Sequence, residues 1–247
     1  MIKVEMYSIS VVLASYNGEK YISNQLDSIL SSISKVPSLN YEIIVSDDGS
    51  IDDTRNIVNR YIVGGYPIKL VNGPREGIIA NFENGMRRSH GDIVFFADQD
   101  DVWKPEKVST VLNVFKNDPT LTCVVHNVEI VDGDLRDTGQ SFFEIRNSKK
   151  GFIPNLIKNR FMGSAMAIKH GLLGKVLPIP TNIPMHDQWI GLINELYGKT
   201  IFINDILGLY RRHGNNASSY EEHGSMKYMM STRYTLIKDL LERSKRE

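Results

Sequence analysis

The chain has 247 residues, of which 41% are hydrophobic and 23% charged, and its 29 Lys/Arg balance 29 Asp/Glu. At this length roughly 70–75% of the unfolded chain's surface is buried on folding, so a core needs no disulfide or metal staples; the length suits one large α/β domain or one and a half small ones, and the composition is ordinary for a soluble globular protein. Zero net charge lacks the basic excess of a nucleic-acid-binding chain, and a single cysteine, Cys123, excludes an internal disulfide and predicts a reducing, cytoplasmic setting.

The N-terminal residues carry Lys3 and Glu5 and no long apolar run, so they read as no signal peptide. No stretch approaches the ~18 consecutive apolar residues of a spanning helix. Residues 8–14 (SISVVLA) are short and β-branched, a strand pattern. Residues 20–33 place Ile22, Leu26, Ile29, Leu30 and Ile33 on one helical face. Residues 42–46 (EIIVS) form a second strand and end in an Asp-Asp-Gly-Ser turn. A helix over 53–62 turns Ile57, Val58 and Tyr61 inward. A strand over 68–71, a helix over 78–89 and a strand over 92–97 (DIVFFA) follow. This alternation predicts a Rossmann-like, mostly parallel sheet flanked by helices, with ligands beyond the carboxyl ends of its strands.

After about residue 120 the rhythm is less regular. Two strand-like runs, 121–126 and 128–131, precede a polar loop over 132–151 and a short helix over 152–158. Cys123 sits in the first run and reads as a small core hydrophobe. The small residues Gly163-Ser164-Ala165-Met166-Ala167 come next, and Pro178, Pro180 and Pro184 mark an extended connection. A helix over 186–197 and strands at 200–203 and 206–210 complete an acceptor-side extension of the same domain. The expected division is a domain over 1–224, with halves 1–118 and 119–224, and a C-terminal amphipathic helix over 225–247. That helix, with six Lys/Arg against three Asp/Glu, either docks on the domain or lies on an anionic membrane surface.

Three motifs carry chemistry. In FFADQDDVW three carboxylates follow a hydrophobic strand within four positions. Unpaired, they raise one another's pKa; a divalent cation such as Mg²⁺ or Mn²⁺, which keeps waters and adds phosphate oxygens, removes that cost. Asp98 and Asp100 share a side if the backbone stays extended, with Gln99 pointing away, and form the metal pair. Asp101 is the structural member, capping the helix from Lys104, with Pro105 in its first turn. In MHDQW, Asp187 stands at a helix start, where an N-cap is the plainer reading; the other is a carboxylate that takes a proton as general base. In YRRHGNN, His213 as neutral imidazole is a third candidate metal ligand, and Arg211 and Arg212 are candidates for diphosphate oxygens. No GxGxxG follows the first strand and no GxxxxGK[ST] occurs, which disfavours dinucleotide oxidoreductases and P-loop NTPases.

Taken in order, VVLASYNGEKYISNQLDSIL, EIIVSDDGS, the Asn-Phe pair of GIIANFENG, FFADQDDVWKPEKV, GSAMA, HDQW and YRRHGNN resemble the family-2 glycosyltransferases of GT-A fold, especially bacterial enzymes of O-antigen and other surface polysaccharides. The resemblance spans about residues 7–216. It implies that Ala14 and Tyr16 lie against the nucleoside, and that Asp48, with Asp47, bonds the base edge. It places Asp98 near ribose and diphosphate, and Asp100 on the metal with His213. It further implies Asp187 as catalytic base, Gly163, Ser164 and Ala165 lining the sugar pocket, and Trp189 beside the acceptor. Where many relatives carry Ala-Arg-Asn, this chain has Asn81-Phe82-Glu83, and Arg75 upstream is the available substitute.

The expected activity is a single displacement with inversion: transfer from a UDP-sugar, or a dTDP-sugar, to a glycan or lipid-diphosphate-linked glycan, with Mn²⁺ or Mg²⁺. A retaining route would need a second carboxylate as nucleophile. The rivals are a sugar-nucleotide pyrophosphorylase, which should carry a Gly-rich basic loop where Ser15-Tyr16-Asn17-Gly18-Glu19 stands, and a carbohydrate- or nucleotide-binding module without turnover. The basic C-terminal helix suggests a visit to the inner membrane face.

Overall fold

The computed structural model describes residues 7–214 and 226–245. The first half follows the expected alternation: β1 (Ile9–Ser15), α1 (Ile22–Ser34), β2 (Tyr41–Asp47), α2 (Thr54–Val63), β3 (Ile68–Asn72), α3 (Ile78–Met86) and β4 (Ile93–Asp98). Next come β5 (Val102–Trp103), α4 (Lys107–Asn117), β6 (Cys123–Val131), β7 (Asp137–Ser141), α5 (Phe142–Arg146) and α6 (Phe152–Ile157). The chain closes with β8 (Met166–Lys169), α7 (Leu173–Val176), α8 (His186–Tyr197), β9 (Thr200–Arg211) and α9 (Met226–Ser244).

One sheet runs β3-β2-β1-β4-β8-β6-β9-β5, with β7 paired to β6. β3, β2, β1 and β4 are mutually parallel, and β8 enters antiparallel between β4 and β6. Because the side-chain period is two, each strand feeds both faces. Val12, Ala14, Val94 and Phe96 pack with Phe82 of α3, Ile190 and Ile193 of α8, and Leu236 and Leu240 of α9. Val11, Leu13, Ile43, Val45, Phe95 and Ala97 pack with residues of α1, α2 and α4. Burial on both faces explains why β1 and β4 read as unbroken apolar runs.

The second half departs from expectation in physically simple ways. The two runs at 121–131 are one strand, with its register shifted around Asn127. The amide oxygen of Asn127 accepts the Val128 and Phe143 N–H groups, so the polar residue pins a bulge rather than ending a strand. The segments at 200–203 and 206–210 are likewise one strand across exposed residues. The polar loop over 132–151 contains β7 and α5. β7 (DTGQS) is mostly exposed and has no apolar alternation, while α5 starts at a Ser141/Glu144 capping box. Helix α4 begins at Lys107, not Lys104, because Val102 and Trp103 pair with β9 and Lys104 N–H donates to the Leu207 carbonyl.

Cys123 is fully buried, and burial pushes its thiol up, as a core residue requires. α9 docks on the domain. Leu236 and Leu240 are buried, Arg243 donates to the carbonyls of Leu177 and Pro178, and Arg233 donates to the Ile157 carbonyl. Among the described residues no helix is long and apolar enough to cross a membrane.

Candidate functional site

From β1 the chain steps outward to β2 and β3, then returns to place β4 on the other side of β1. That reversal opens a crevice at the carboxyl ends of β1 and β4. Ala14 pairs in register with Asp98 across it, and Ser15 with Asp47.

At the carboxyl end of β1 Ala14 is buried and the Tyr16 ring is exposed. Gln99, expected to point away, instead clamps this loop. Its Oε1 accepts the Tyr16 N–H at 3.0 Å and its Nε2 donates to the Tyr16 carbonyl at 2.9 Å. Gly18 is required beneath it, since a Cβ there would stand 2.0 Å from Gln99 Oε1. The Asp48 carboxylate accepts the N–H groups of Arg75 and Gly77, at 2.6 and 2.9 Å, and so ties the following loop to the site. The Arg75 side chain lies against Gly49. Asp47 has partners within the fold. It is buried, pairs with Arg55 at 2.8 Å and accepts the Ser50 N–H, and so holds the turn. Asn81, where relatives differ, is also structural: its Nδ2 donates to the Ser46 carbonyl at 2.9 Å.

The acidic run does not stay extended. β4 ends at Asp98 and the chain turns at Gln99 and Asp100. Asp98 is pushed up to about 7, first by desolvation and then by the charges of Asp100 and Asp187. Asp100 Oδ2 lies 2.8 Å from His213 Nε2, and the imidazole stacks on Tyr21 at 4.7 Å. Among the described residues no three His, Cys, Asp or Glu side chains converge as a metal group; of the expected set, Asp100 and His213 are in direct contact and Asp98 lies within electrostatic reach of Asp100. Asn215 and Asn216 lie outside the described residues. Asp101 is buried, and burial followed by repulsion from Asp100 and Asp98 raises its carboxyl well above the carboxylate range. It is structural, though not as a helix cap: it accepts the Arg211 N–H at 3.1 Å, while the N-cap position of α4 is held by Glu106 with no side-chain cap.

Arg211 was a candidate for diphosphate oxygens. Its guanidinium instead donates to the carbonyls of Asp100 and Gly133 and to Asn24 Oδ1, at 2.8, 2.9 and 3.0 Å, and lies over the Tyr21 ring. It latches the end of β9 to the acidic turn and so sets His213 beside Asp100. Lys107 escaped sequence reasoning. It is buried, its Nζ donates to the Ser164 carbonyl at 2.7 Å, and it sits 4.0 Å from the Trp103 ring centre. Burial brings its ammonium down to about 7 against the pull of Asp101 and Asp98. It is an internal cation beneath the acidic run, signalled only by the helical spacing of WKPEK.

Across the crevice Asp187 occupies the first turn of α8, where Met185 holds the N-cap position without a side-chain cap. The cap reading therefore fails. The carboxylate is buried and accepts Asn159 Nδ2 at 2.9 Å and the Gln188 N–H at 2.6 Å. Desolvation outweighs these donors, and the Gly163 N–H, and raises Asp187 to about 6. Its charge reaches Asp98. Between them lies the 3₁₀ turn Gly163–Ala165, where the buried Ser164 side chain faces the Asp98 and Asp101 carboxyls. Trp189 is not beside an acceptor: it is fully buried and its Nε1 donates to the Val176 carbonyl, because helical rotation turns it away from Asp187 into the core.

His186 stacks on Phe82 at 4.1 Å, and a Cβ on Gly163 would lie 2.6 Å from its Nε2. Gly163→Ala is therefore expected to push this turn off Asp187. Since small misplacements cost up to about 10²-fold, kcat should fall roughly 10–100-fold while nucleotide affinity changes little, as measured by turnover beside nucleotide titration.

The family model described as "Glycosyl transferase family 2" matches residues 10–177. An uncharacterized glycosyltransferase of Nostoc sp. is 27% identical over 216 residues, covering 84% of this chain and 66% of that protein. The hyaluronan synthase of Pasteurella multocida is 27% identical over 143 residues, 57% of this chain and 14% of the synthase. The crystal structure of S. aureus TarS in complex with UDP-GlcNAc matches with a TM-score of 0.70 at 19% identity, over 93% of this chain and 66% of that one. The mannosyltransferase PcManGT of Pyrobaculum calidifontis, in complex with GDP-Man and Mn²⁺, matches with a TM-score of 0.66 at 18% identity, over 94% and 63%. The chain thus spans less than two thirds of the length of each of these proteins. The structural matches establish the shared GT-A fold, and the match over most of the sequence establishes that the chain belongs to glycosyl transferase family 2.

Proposed function

We propose that this transferase moves a sugar from a nucleotide-diphosphate donor, a UDP-sugar ahead of a dTDP-sugar, to a hydroxyl of a glycan or lipid-diphosphate-linked glycan, with inversion. The observation that carries it is the buried Asp187 carboxylate set across the crevice from Asp98, with Asn159 and Gln188 fixing its direction. Ala14, Tyr16 and Asp48 border the nucleoside, Asp98 the ribose and diphosphate, and Gly163 and Ser164 the donor sugar. Asp187 accepts the proton of the acceptor hydroxyl as its oxygen attacks the anomeric carbon. The bond to the diphosphate oxygen breaks with its electron pair on the leaving group, and attack from the opposite face inverts the centre.

The chemistry at the acidic turn fits a divalent cation. Asp100 and His213 offer an oxygen and an imidazole within contact, and the Asp98 carboxyl, raised first by burial and then by the charges of Asp100 and Asp187, stands where a cation would relieve the repulsion part of that cost. Bound there as Mn²⁺ or Mg²⁺, it would supply positive charge to the departing diphosphate. The complexes of TarS with UDP-GlcNAc and of PcManGT with GDP-Man and Mn²⁺, and the likeness to a hyaluronan synthase, support donor, metal and polysaccharide product as classes. We place the reaction in bacterial surface polysaccharide synthesis at the cytoplasmic membrane face, with residues 1–224 as the catalytic domain and 225–247 as its terminal helix.

Because Asp187 works ionised and its carboxyl stands at about 6, kcat is expected to fall as pH drops through about 6 and to level off above it. A pH profile of nucleoside diphosphate release, run over a panel of donors with and without Mn²⁺, tests this. Turnover undiminished well below pH 6 would remove Asp187 as the base.

A further inference from the structure

Helix α9 carries two apolar faces. Thr232, Leu236 and Leu240, one turn apart, are buried against the domain. Met230, Tyr234, Ile237 and Leu241 recur at steps of four, three and four, so they form one stripe, and each is between 42% and 72% exposed. Helix α6 adjoins α9 and exposes apolar side chains of its own. Ile153 and Ile157, again one turn apart, are 60% and 66% exposed. The Arg233 guanidinium joins the two helices by donating to the Ile157 carbonyl at 3.1 and 2.9 Å. Six large apolar side chains from two distant segments thus share one surface. Contiguous exposure on that scale marks a contact site.

Charge indicates the partner. Residues 149–160 and 226–245 contain nine Lys/Arg and two Asp/Glu in a chain whose formal net charge is zero. Lys149, Lys150, Lys158, Lys238 and Lys245, all on these two segments, are exposed. A second copy meeting the same face would set these cations against one another. An anionic bilayer interface satisfies both features, taking apolar side chains at the headgroup–acyl boundary and lysines among phosphates.

We propose that the α6–α9 face docks on an anionic lipid surface. It also lies close to the reaction centre: Asn159, two positions beyond Ile157, is the residue whose Nδ2 holds Asp187. An acceptor held in the bilayer plane would reach the base without leaving the membrane. This last step rests on the transfer reading above, whereas the docking does not.

The test is co-sedimentation of the full chain with phosphatidylcholine vesicles, with and without phosphatidylglycerol. Two variants serve, Ile157→Glu with Tyr234→Glu, and Lys149→Glu with Lys150→Glu and Lys158→Glu, all at exposed side chains that the core does not need. The expected result is binding only to the anionic vesicles, weakened about tenfold or more in each variant, with donor hydrolysis in solution unchanged. Absence of binding to anionic vesicles, equal binding to neutral ones, or unaltered binding by both variants would overturn the proposal. So would a concentration-dependent dimer that Ile157→Glu dissolves. Anionic binding without turnover of any donor would uphold the docking face and instead strike down the transfer reading.

Discussion

Asp187→Asn is expected to lower kcat by about 10²–10⁴-fold, the usual contribution of a positioned general base, and to leave donor affinity nearly unchanged. The substitution keeps size and an acceptor oxygen, so the N–H donors of Asn159 and Gln188 retain a partner. It also removes a charge whose burial is unfavourable, as the carboxyl raised to about 6 shows, so thermal stability should hold or rise. A loss of turnover with intact melting temperature and nucleotide titration separates chemistry from folding. Near-normal turnover would return Asp187 to a structural role.

Asp100→Asn is expected to abolish the gain in nucleotide affinity produced by Mn²⁺ and to cut transfer by roughly 10²-fold or more, as loss of electrostatic stabilisation at a leaving group does. Asp100 is suited to this because its carboxylate already meets His213 at 2.8 Å while remaining partly exposed. Asp101→Asn serves as the contrast. That residue is buried and accepts the Arg211 N–H, so its variant should alter unfolding more than Mn²⁺ dependence. Calorimetry with a nucleoside diphosphate, with and without Mn²⁺, reads the difference. Equal Mn²⁺ dependence in Asp100→Asn would move the cation elsewhere.

The nucleotide half was legible in the sequence because each of its elements announces itself locally. Strands buried on both faces are apolar throughout, and helices α1 to α3 show their inward faces at regular spacing. Proximity between distant segments was not legible. Nothing around Gln99 marks it as the clamp of Tyr16, and nothing in YRRHGNN shows the Arg211 guanidinium committed to carbonyls of Asp100 and Gly133. Trp189 and Asp187 stand two positions apart, and helical rotation sends one into the core and the other to the crevice. The polar edge strand β7 and the bulged β6 and β9 were missed or split because alternation fails where a strand is exposed or gains a residue.

One measurement tests metal-dependent inversion most directly: time-resolved NMR of the sugar released from an α-linked nucleotide donor by the chain with Mn²⁺, water serving as acceptor. The predicted result is Mn²⁺-dependent release in which the β-anomer comes first. Release of the α-anomer first, or no release from any donor in the panel, would contradict it.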